Sequence, residues 1–338
     1  MSEPLLAALE TRGRVLLGPV LELLDPTQRL AWPYLLWAGG MAVGVWWVRV
    51  RPAGRTSLLG FLFPAKVWLH RSALLDYRFL LLRALLAAIL LPPALISAQT
   101  IAVRTALGLV RWLGPGPGGR WAPEWRMAAM TVLVFVLGDL ARFLMHRMLH
   151  RVPFLWELHK VHHSAEVLTP FTLHRTHPIE AALMRGATAA ALGGAAGVCA
   201  WFFQGQVSAW EILGVDALSM VWTLLGSNLR HSQVWLSFGP VLERVWLSPA
   251  QHQIHHSVDP QHHDKNFGEA LAIWDALAGT LVLSGERQQL TFGLAPEERN
   301  HGDTALSLVV APWLASVRRL LSGVSRGKVL VESLGVKR

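Results

Sequence analysis

The sequence of 338 residues contains a single cysteine, Cys199, and few charged residues. One cysteine excludes a disulfide within the chain, and it excludes thiolate zinc sites and iron–sulfur clusters, which need several cysteine ligands. Any metal must therefore be held by nitrogen or oxygen. Charged residues make up only 16% of the chain and hydrophobic residues 52%, with a mean hydropathy of +0.36. This composition argues against a soluble globular enzyme and against a disordered chain.

The charge that is present has one predominant sign. Thirty-one lysines and arginines stand against 22 aspartates and glutamates, which gives a net charge of +9. A basic chain suits anionic phosphate, either on lipid headgroups or on nucleic acid. Because the chain is also strongly apolar, we predict a membrane lipid partner and no nucleic acid.

Apolar runs recur that could cross a hydrocarbon core about 30 Å thick at about 1.5 Å per residue. Pro92 and Pro93 weaken the second run, and the basic segment 104–126 leaves the N-terminal topology open. We therefore expect four or five transmembrane helices. The predicted spans are 30–50, 79–99, 127–145, 181–203 and 207–229.

The last two runs should form a hairpin, so the polar stretches 146–180 and 228–338 should share one face of the membrane. The positive-inside rule places that face in the cytoplasm. We predict an all-α, polytopic membrane protein with a cytoplasmic helical cap. It divides into an N-terminal membrane region (1–125), a domain containing the histidine motifs (126–295) and an interfacial or cytoplasmic tail (296–338). Residues 1–25 and 306–321 are expected to form surface helices.

Three histidine clusters stand out in the polar stretches. Histidines three or four residues apart project from one helix face, with Cβ atoms about 5–6 Å apart. Neutral imidazoles at this spacing are typical of ligands for iron, zinc, copper or nickel, and eight ligands exceed what one ion accepts. Two metal ions are therefore predicted. The clustered residues are His146, His150, His159, His162, His163, His252, His255 and His256.

The other histidines lie outside the three clusters, and each is interpreted from its own surroundings in the sequence. His231 follows the last span, and we predict that it joins the ligand set from a helix end. His174 and His177 precede a proline, and this pattern fits either a ligand pair or a hydrogen-bonded loop. His262 and His263 are expected in a solvated loop.

Four carboxylates flank the clusters. Asp139 lies inside an apolar helix shortly before His146, and acids within the membrane are functional candidates. Glu157, Glu166 and Asp264 could orient imidazole N–H groups, as ligating histidines usually require. For Glu157 and Glu166, a surface charge without such a role fits equally well.

Together the motifs resemble the fatty acid hydroxylase or sterol desaturase superfamily of membrane-bound di-iron oxygenases, over about residues 126–295. Four positions depart from the family pattern: Phe267 for Tyr, Ala276 for Arg, Ala278 for Phe, and Gln233 where Asn is commoner. None of them removes a motif histidine. The matching motifs are Asp139, His146-Arg-x-x-His150, Leu155-Trp-x-x-His159-x-x-His162-His163-Ser164, Arg175-x-His177-Pro-x-Glu180, Pro249-x-x-His252-x-x-His255-His256, Asn266-x-Gly268, Trp274-Asp275 and Gly279-Thr280.

The resemblance implies a centre of two Fe ions that activates O2 and oxidises a C–H bond of a lipid by hydroxylation or desaturation. It implies the clustered histidines and His231 as metal ligands, and Asp139 and His177 as catalytic residues. The chain contains no flavin fingerprint, haem-attachment motif or cysteine cluster. We therefore expect electrons from a ferredoxin or cytochrome b5-like donor.

Three other interpretations remain. A histidine-rich divalent-metal transporter would place polar groups near mid-bilayer in several spans. A zinc-dependent membrane lipid hydrolase would use a metal-bound hydroxide. A non-catalytic family member would act as a lipid-binding scaffold. The sequence names neither the lipid nor the product, whether alcohol, alkene or cleaved ether.

Overall fold

A computed structural model describes residues 13, 15–54, 56–90, 97–119, 121–205, 208–212, 215–299 and 301–333. The described residues are mainly helical, as predicted, with one ladder of two short antiparallel strands. Most of the predicted N-terminal surface helix lies outside the described residues. So does the Pro92-Pro93 pair.

The elements follow one another along the chain. The α-helices and strands are α1 (Gly18–Leu21), α2 (Trp32–Val45), α3 (Leu58–Leu62), α4 (Ala65–Trp68), α5 (Arg71–Leu90), α6 (Ala98–Leu113), α7 (Pro123–Arg151), α8 (Pro153–His163), α9 (Pro178–Phe202), β1 (Glu211–Ile212), β2 (Val215–Asp216), α10 (Ala217–Leu224), α11 (Gly239–Leu242), α12 (Pro249–His255), α13 (Ile273–Ala278) and α14 (Ser307–Ser333). Short 3-10 turns occupy Arg51–Ala53, Pro170–His174, Ser227–Leu229, Pro260–His262 and Pro296–Glu298.

Two helices of the described part are long and apolar enough to cross a membrane. They are α7, with 29 residues, and α9, with 25. Helix α7 contains the predicted span 127–145, and α9 contains all but the last residue of the predicted span 181–203. Helix α9 packs along both α7 and α6. A Cβ on Gly193 would lie 2.5 Å from the carbonyl oxygen of Ala98. Glycine therefore lets these two backbones approach as closely as they do.

The predicted span 207–229 is wrong as a single helix. Its described residues form the β1–β2 ladder and then α10, which has only eight residues. The Asp216 side chain accepts a hydrogen bond from the backbone N–H of Ser219 and so begins α10 late. At about 1.5 Å per residue, eight residues cannot cross a core about 30 Å thick. The high average hydropathy of the run 207–229 did not indicate that Asp216 begins a new helix within it.

The two remaining predicted spans correspond to shorter or more polar helices. The run 30–50 is helical from Trp32, but its regular α-helix has 14 residues and continues as a π-helical turn, Trp46–Val50. The run 79–99 begins inside α5, which starts at Arg71 and carries Asp76, and α6 begins only at Ala98. A total of four or five spans stays a prediction.

Large apolar side chains are exposed on many of these helices, as at Leu36, Leu81, Leu107 and Val132. Exposed apolar side chains in this number fit contact with lipid.

The C-terminal helix α14 covers nearly all of the predicted surface helix 306–321, and it packs against α8. Leu308 is fully buried against Leu75, Phe79 and Val161. The Arg319 guanidinium pairs with Glu157, which also pairs with Lys160 at 2.6 Å. The end of the chain thus supports a helix that carries three histidines.

Candidate metal centre

Nine histidines come together in two groups where α7, α8 and α12 meet the segment after α10. Within each group, one potential ligand atom from every residue lies within 4.8 Å of the others. The nine are the histidines predicted as ligands from the sequence. We call His146, His150, His159, His163 and His255 cluster 1, and His162, His231, His252 and His256 cluster 2.

Cluster 1 is oriented by oxygen atoms around it. The Nδ1 of His146 lies 2.8 Å from the carbonyl oxygen of Phe267, and the Nδ1 of His255 lies 2.7 Å from that of Lys265. A carbonyl oxygen only accepts, so each Nδ1 carries the proton and each Nε2 presents a lone pair. Those Nε2 atoms face the centre of the cluster.

His159 follows the same pattern, and His150 lies near a carboxylate. The Nδ1 of His159 lies 2.7 Å from Oε1 of Glu180, and the Nδ1 of His150 lies 3.8 Å from Oδ1 of Asp264. The buried Nε2 atoms of His150, His163 and His255 have no hydrogen-bond partner among the described residues. Buried nitrogens without partners are costly unless an ion binds them.

Cluster 2 is marked by contacts between ring nitrogens. The Nε2 atoms of His231, His252 and His256 form a triangle with sides of 3.0, 3.1 and 3.2 Å. A ring nitrogen is either a donor or an acceptor, so three of them cannot satisfy one another. Nitrogens held about 2.0–2.1 Å from one ion at adjacent positions would be separated by about 3 Å. The residues therefore fit a bound metal.

Burial keeps these imidazoles in the neutral form that metals require. Desolvation lowers the pKa of His255 to about 3, and it lowers the pKa of His162, His231 and His256 well below the usual value. Neighbouring imidazoles add to the effect because two nearby positive charges would repel each other.

Helical spacing assigns the histidines of one helix to different clusters. On α8, His159 and His163 are four residues apart and face cluster 1, while His162 turns to cluster 2. His252 in α12 and His256 directly after it face cluster 2, and His255 faces cluster 1. Each of these short helices therefore contributes to both sites.

Asp139 anchors a loop beside cluster 1. Its carboxylate accepts hydrogen bonds from the N–H groups of Ala270 and Leu271, at 2.9 and 3.0 Å, and from Trp274 Nε1 at 2.9 Å. The same loop contains the Phe267 carbonyl that orients His146. These contacts support a positioning role. That Asp139 acts in catalysis stays a prediction.

Asp275 fastens the same loop from the other side. It accepts hydrogen bonds from the N–H groups of Phe267 and Gly268 at 2.9 and 2.7 Å. A Cβ on Gly268 would lie 2.7 Å from the carbonyl oxygen of Leu271. The Asn-x-Gly and Trp-Asp motifs thus fix the backbone that carries the orienting carbonyl.

His177 does not point at either cluster. Its Nδ1 accepts a hydrogen bond from the N–H of Ile179 at 3.2 Å, which caps α9, and its Nε2 donates to the Val309 carbonyl at 3.0 Å. His174 pairs with Glu22 at 3.2 Å. The structure therefore has the hydrogen-bonded alternative at this motif. A catalytic role for His177 stays a prediction.

The expectation of a solvated loop is wrong for His262, which is buried, although His263 is exposed. His262 closes a 3-10 turn begun by Asp259, whose side chain accepts a hydrogen bond from the N–H of Gln261. Neither residue belongs to the two clusters.

Of the three carboxylates predicted to orient imidazole N–H groups, one lies beside a clustered histidine and two form ion pairs with basic residues. Asp264 lies beside His150, whereas Glu157 pairs with Lys160 and Arg319, and Glu166 pairs with Arg71 at 3.0 Å. Sequence reasoning missed Glu180 as an orienting group. The signal was its place in the first turn of α9, directly after the His-Pro pair.

Two cavities reach the histidines from different directions and share no lining residue. One, of about 280 Å³, is lined by members of both clusters, among them His146, His159 and His252. The other, of about 250 Å³, is lined by His150, His163 and further members of both clusters. The histidines form the wall between the two cavities.

The fold and the site define a class: a helical protein with apolar helices long enough to span a membrane, and nine histidines gathered in two groups beside them. The "Fatty acid hydroxylase" family model matches residues 131–280. The resemblance predicted from the sequence is thereby confirmed over this segment, which contains all nine clustered histidines.

Curated relatives share this segment. An ornithine lipid hydroxylase of Rhizobium tropici is 30% identical over 164 residues, which cover 47% of this chain and 44% of that protein. The alkylglycerol monooxygenase of Danio rerio is 28% identical over 170 residues, 50% of this chain and 34% of that protein. A Delta(7)-sterol 5(6)-desaturase of Eremothecium gossypii is 29% identical over 155 residues, 45% and 37% respectively.

The matches thus span less than half the length of these relatives. No solved structure matches the chain.

Proposed function

We propose that this protein is a membrane-bound oxidoreductase that uses two Fe ions and O2 to hydroxylate or desaturate a lipid at a C–H bond. The observation that carries the proposal is the pair of histidine clusters, with ring nitrogens converging in each. The relatives named above, a hydroxylase, a monooxygenase and a desaturase, support the same chemistry.

Iron supplies the O2 chemistry when bound, and histidine nitrogens without thiolates are ligands that suit non-haem iron. The chain's own residues hold and orient the ligands. Phe267 O, Lys265 O and Glu180 fix three rings of cluster 1. These partners set the tautomers and so aim the lone pairs.

The 280 Å³ cavity is the proposed substrate site because it touches both clusters and opens beside the apolar helices α7 and α9. Hydroxylation of a C–H bond by O2 consumes two electrons and two protons and releases one water. We propose that a ferredoxin or cytochrome b5-like donor supplies the electrons. We propose that the donor approaches the second cavity, which is lined in part by Trp156 and Asp264 and shares no lining residue with the substrate cavity.

We further propose that α7 and α9 cross a membrane and that both clusters lie at its cytoplasmic face. The exposed apolar residues on these helices support the crossing. The excess of basic residues in the polar stretches supports the orientation. Impermeant maleimide labelling of single cysteines at the exposed positions Arg151 and Gln261, in a Cys199→Ala background, tests whether the two polar stretches lie at this face. Each should react only after the cells are permeabilised.

The proposed function is tested by metal analysis of the purified chain together with lipid mass spectrometry of cells with and without the gene. We expect two Fe ions per chain and a lipid that differs by one oxygen or two hydrogens. A product formed without O2, or zinc in place of iron, would contradict the proposal and favour the hydrolase.

A transporter is less well supported by the structure. The clustered histidines gather at the C-terminal end of α7, in α8, and in the segment from the end of α10 through α12, whereas a transport path would distribute polar groups through several spans.

A further inference from the structure

Five arginines line the cavities next to the clusters, and their positive charge indicates the chemical class of the substrate. The cavity of about 280 Å³ continues into one of about 690 Å³, and both are lined by Arg29, Arg142, Arg185 and Glu269. Together the two cavities are lined by five arginines and three glutamates. The arginines are Arg29, Arg83, Arg142, Arg185 and Arg230, and the glutamates are Glu22, Glu180 and Glu269.

The glutamates are already paired. Glu269 forms ion pairs with both Arg29 and Arg230. Glu180 is bonded to His159 and Glu22 to His174. The lining therefore keeps an excess of positive charge within it.

Among the described residues, three of the arginines have no carboxylate partner, and one of them, Arg83, donates instead to the carbonyl oxygen of His174 at 2.7 Å. The other two are Arg142 and Arg185. In the described part of the chain, neither Arg142 nor Arg185 forms a hydrogen bond or an ion pair with a carboxylate. A Cβ on Gly138 would lie 3.6 Å from Nη1 of Arg142 and 2.9 Å from Leu192 of α9. The Arg142 guanidinium is therefore tucked between α7 and α9, facing the cavity. Asp139, one turn earlier on α7, offsets part of this charge, but its carboxylate oxygens are bonded to the neighbouring loop. An anion in the cavity would therefore be the direct partner of Arg142.

Arg142 and Arg185 each lie a defined distance along their helix from a residue of the metal centre. Arg142 precedes His146 by one turn of α7, an axial rise of about 6 Å, and Arg185 follows Glu180 by about 7.5 Å along α9. The larger cavity continues along α9 past Thr188 to Leu192. An apolar chain can lie there while an anionic group meets the arginines.

We infer that the substrate is an amphiphile with an anionic group, a phosphate or a carboxylate, held by Arg142 and Arg185. The oxidised C–H bond lies within a few bonds of that group, on the side that faces the clusters. Planar guanidinium groups bind both anions through paired N–H donors. This inference deepens the proposed function and rests on it for the oxidation step, although the binding site itself does not depend on it.

Binding to the purified full-length protein in neutral detergent tests the inference. The probes are dodecyl phosphate, dodecanol and inorganic phosphate. Hydrogen bonds to charged groups contribute about 1.5–3 kcal/mol, so dodecyl phosphate should bind about 10- to 100-fold more tightly than dodecanol. Inorganic phosphate should compete poorly because it lacks the chain. Equal binding of dodecyl phosphate and dodecanol would overturn the inference.

The variants Arg142→Gln and Arg185→Gln should each lose most of this selectivity, and Arg142→Lys should keep more of it. The matched control is Arg111→Gln, at an exposed arginine in the last turn of α6 that lines neither cavity. Because Arg185 is exposed, its variant keeps the test open if Arg142→Gln fails to fold. Selectivity retained in both Gln variants would contradict the site.

Two outcomes separate this inference from the proposed function. Selective binding in a protein that forms no oxidised product would leave the anion site standing and contradict the oxygenase. Conversely, turnover with oxygen inserted at the far end of the alkyl chain would support the oxygenase and overturn the inference. Displacement of dodecyl phosphate by an equal concentration of inorganic phosphate would show a site for a free anion, and it would overturn the lipid assignment.

Discussion

The two histidine clusters differ in how their rings are held. In cluster 1, His146, His159 and His255 each direct Nδ1 to a fixed oxygen at 2.7–2.8 Å. In cluster 2, the buried Nδ1 atoms of His162, His252 and His256 have no partner among the described residues. Cluster 1 is thus aligned by the protein before metal binds, whereas cluster 2 has its rings aligned mainly by the ion itself.

Bringing the ring nitrogens close together is therefore only one of two ways in which this protein prepares a metal site. Ligands oriented by a surrounding shell lose little freedom on binding, and their affinity depends on that shell. For ligands without such a shell, the affinity for the ion depends mainly on how many nitrogens bind it. The variants below separate the two effects.

The largest effect is expected for His252→Ala. Cluster 2 has four histidines, and alanine offers no donor in place of the imidazole. We expect iron to fall by about one ion per chain and product formation to be lost, since both ions are needed. Iron content by atomic spectroscopy and product by mass spectrometry measure this. In His150→Ala, cluster 1 keeps four histidines, three of them oriented by fixed oxygens, so its iron should fall less. Full iron and full turnover in His252→Ala would show that the two-metal proposal is wrong.

The next largest effect is expected for Glu180→Ala. Removal of an orienting partner typically costs about 10- to 100-fold in metal affinity or activity. Iron affinity, measured by competition with a chelator, should fall within that range for cluster 1 alone. Glu180→Gln retains an oxygen acceptor for His159 and should show a smaller loss. If alanine and glutamine were equally harmless, the orientation of cluster 1 would not depend on this contact.

A smaller effect is expected for Asp139→Asn. The amide nitrogen cannot accept a hydrogen bond, so at least one loop N–H loses its partner, at a cost of about 1–3 kcal/mol. We expect a lower unfolding temperature and a moderate loss of iron affinity at cluster 1. A catalytic role would instead lower turnover with stability and iron content unchanged. Parallel measurements of thermal unfolding and kcat therefore decide between the two roles.

The smallest effect is expected for His262→Ala and His301→Ala. Neither residue belongs to a cluster, so iron content and activity should stay near those of the wild type. Since His262 is buried, its variant should lose some thermal stability. Loss of iron in His262→Ala would show that the set of nine histidines is incomplete.

The sequence predicted the histidines well because their spacing is a local property. Residues three or four apart share a helix face whatever the tertiary fold, so His146 and His150 had to point together. The sequence could not divide His162 from His163 between two clusters, because that division depends on where α12 docks. It also missed the carbonyls of Lys265 and Phe267, since every residue has a carbonyl and only tertiary contacts select two of them.

The fold was predicted best where apolar runs were uninterrupted. The runs inside α7 and α9 became long helices. The prediction for the run 207–229 failed because the Asp216 side chain caps a new helix, α10, inside an apolar run. Local capping decides where a helix begins, and window hydropathy does not register it.

Helices α8 and α12 each contribute histidines to both clusters, and this has a consequence for how the protein is assembled. An ion captured by one cluster immobilises a helix whose other face belongs to the neighbouring cluster. The ordering entropy of that helix is then already spent when the second ion arrives. Because cluster 1 is oriented before metal binds, it should fill first in a metal titration, and its ion should then raise the affinity of cluster 2 for the second ion.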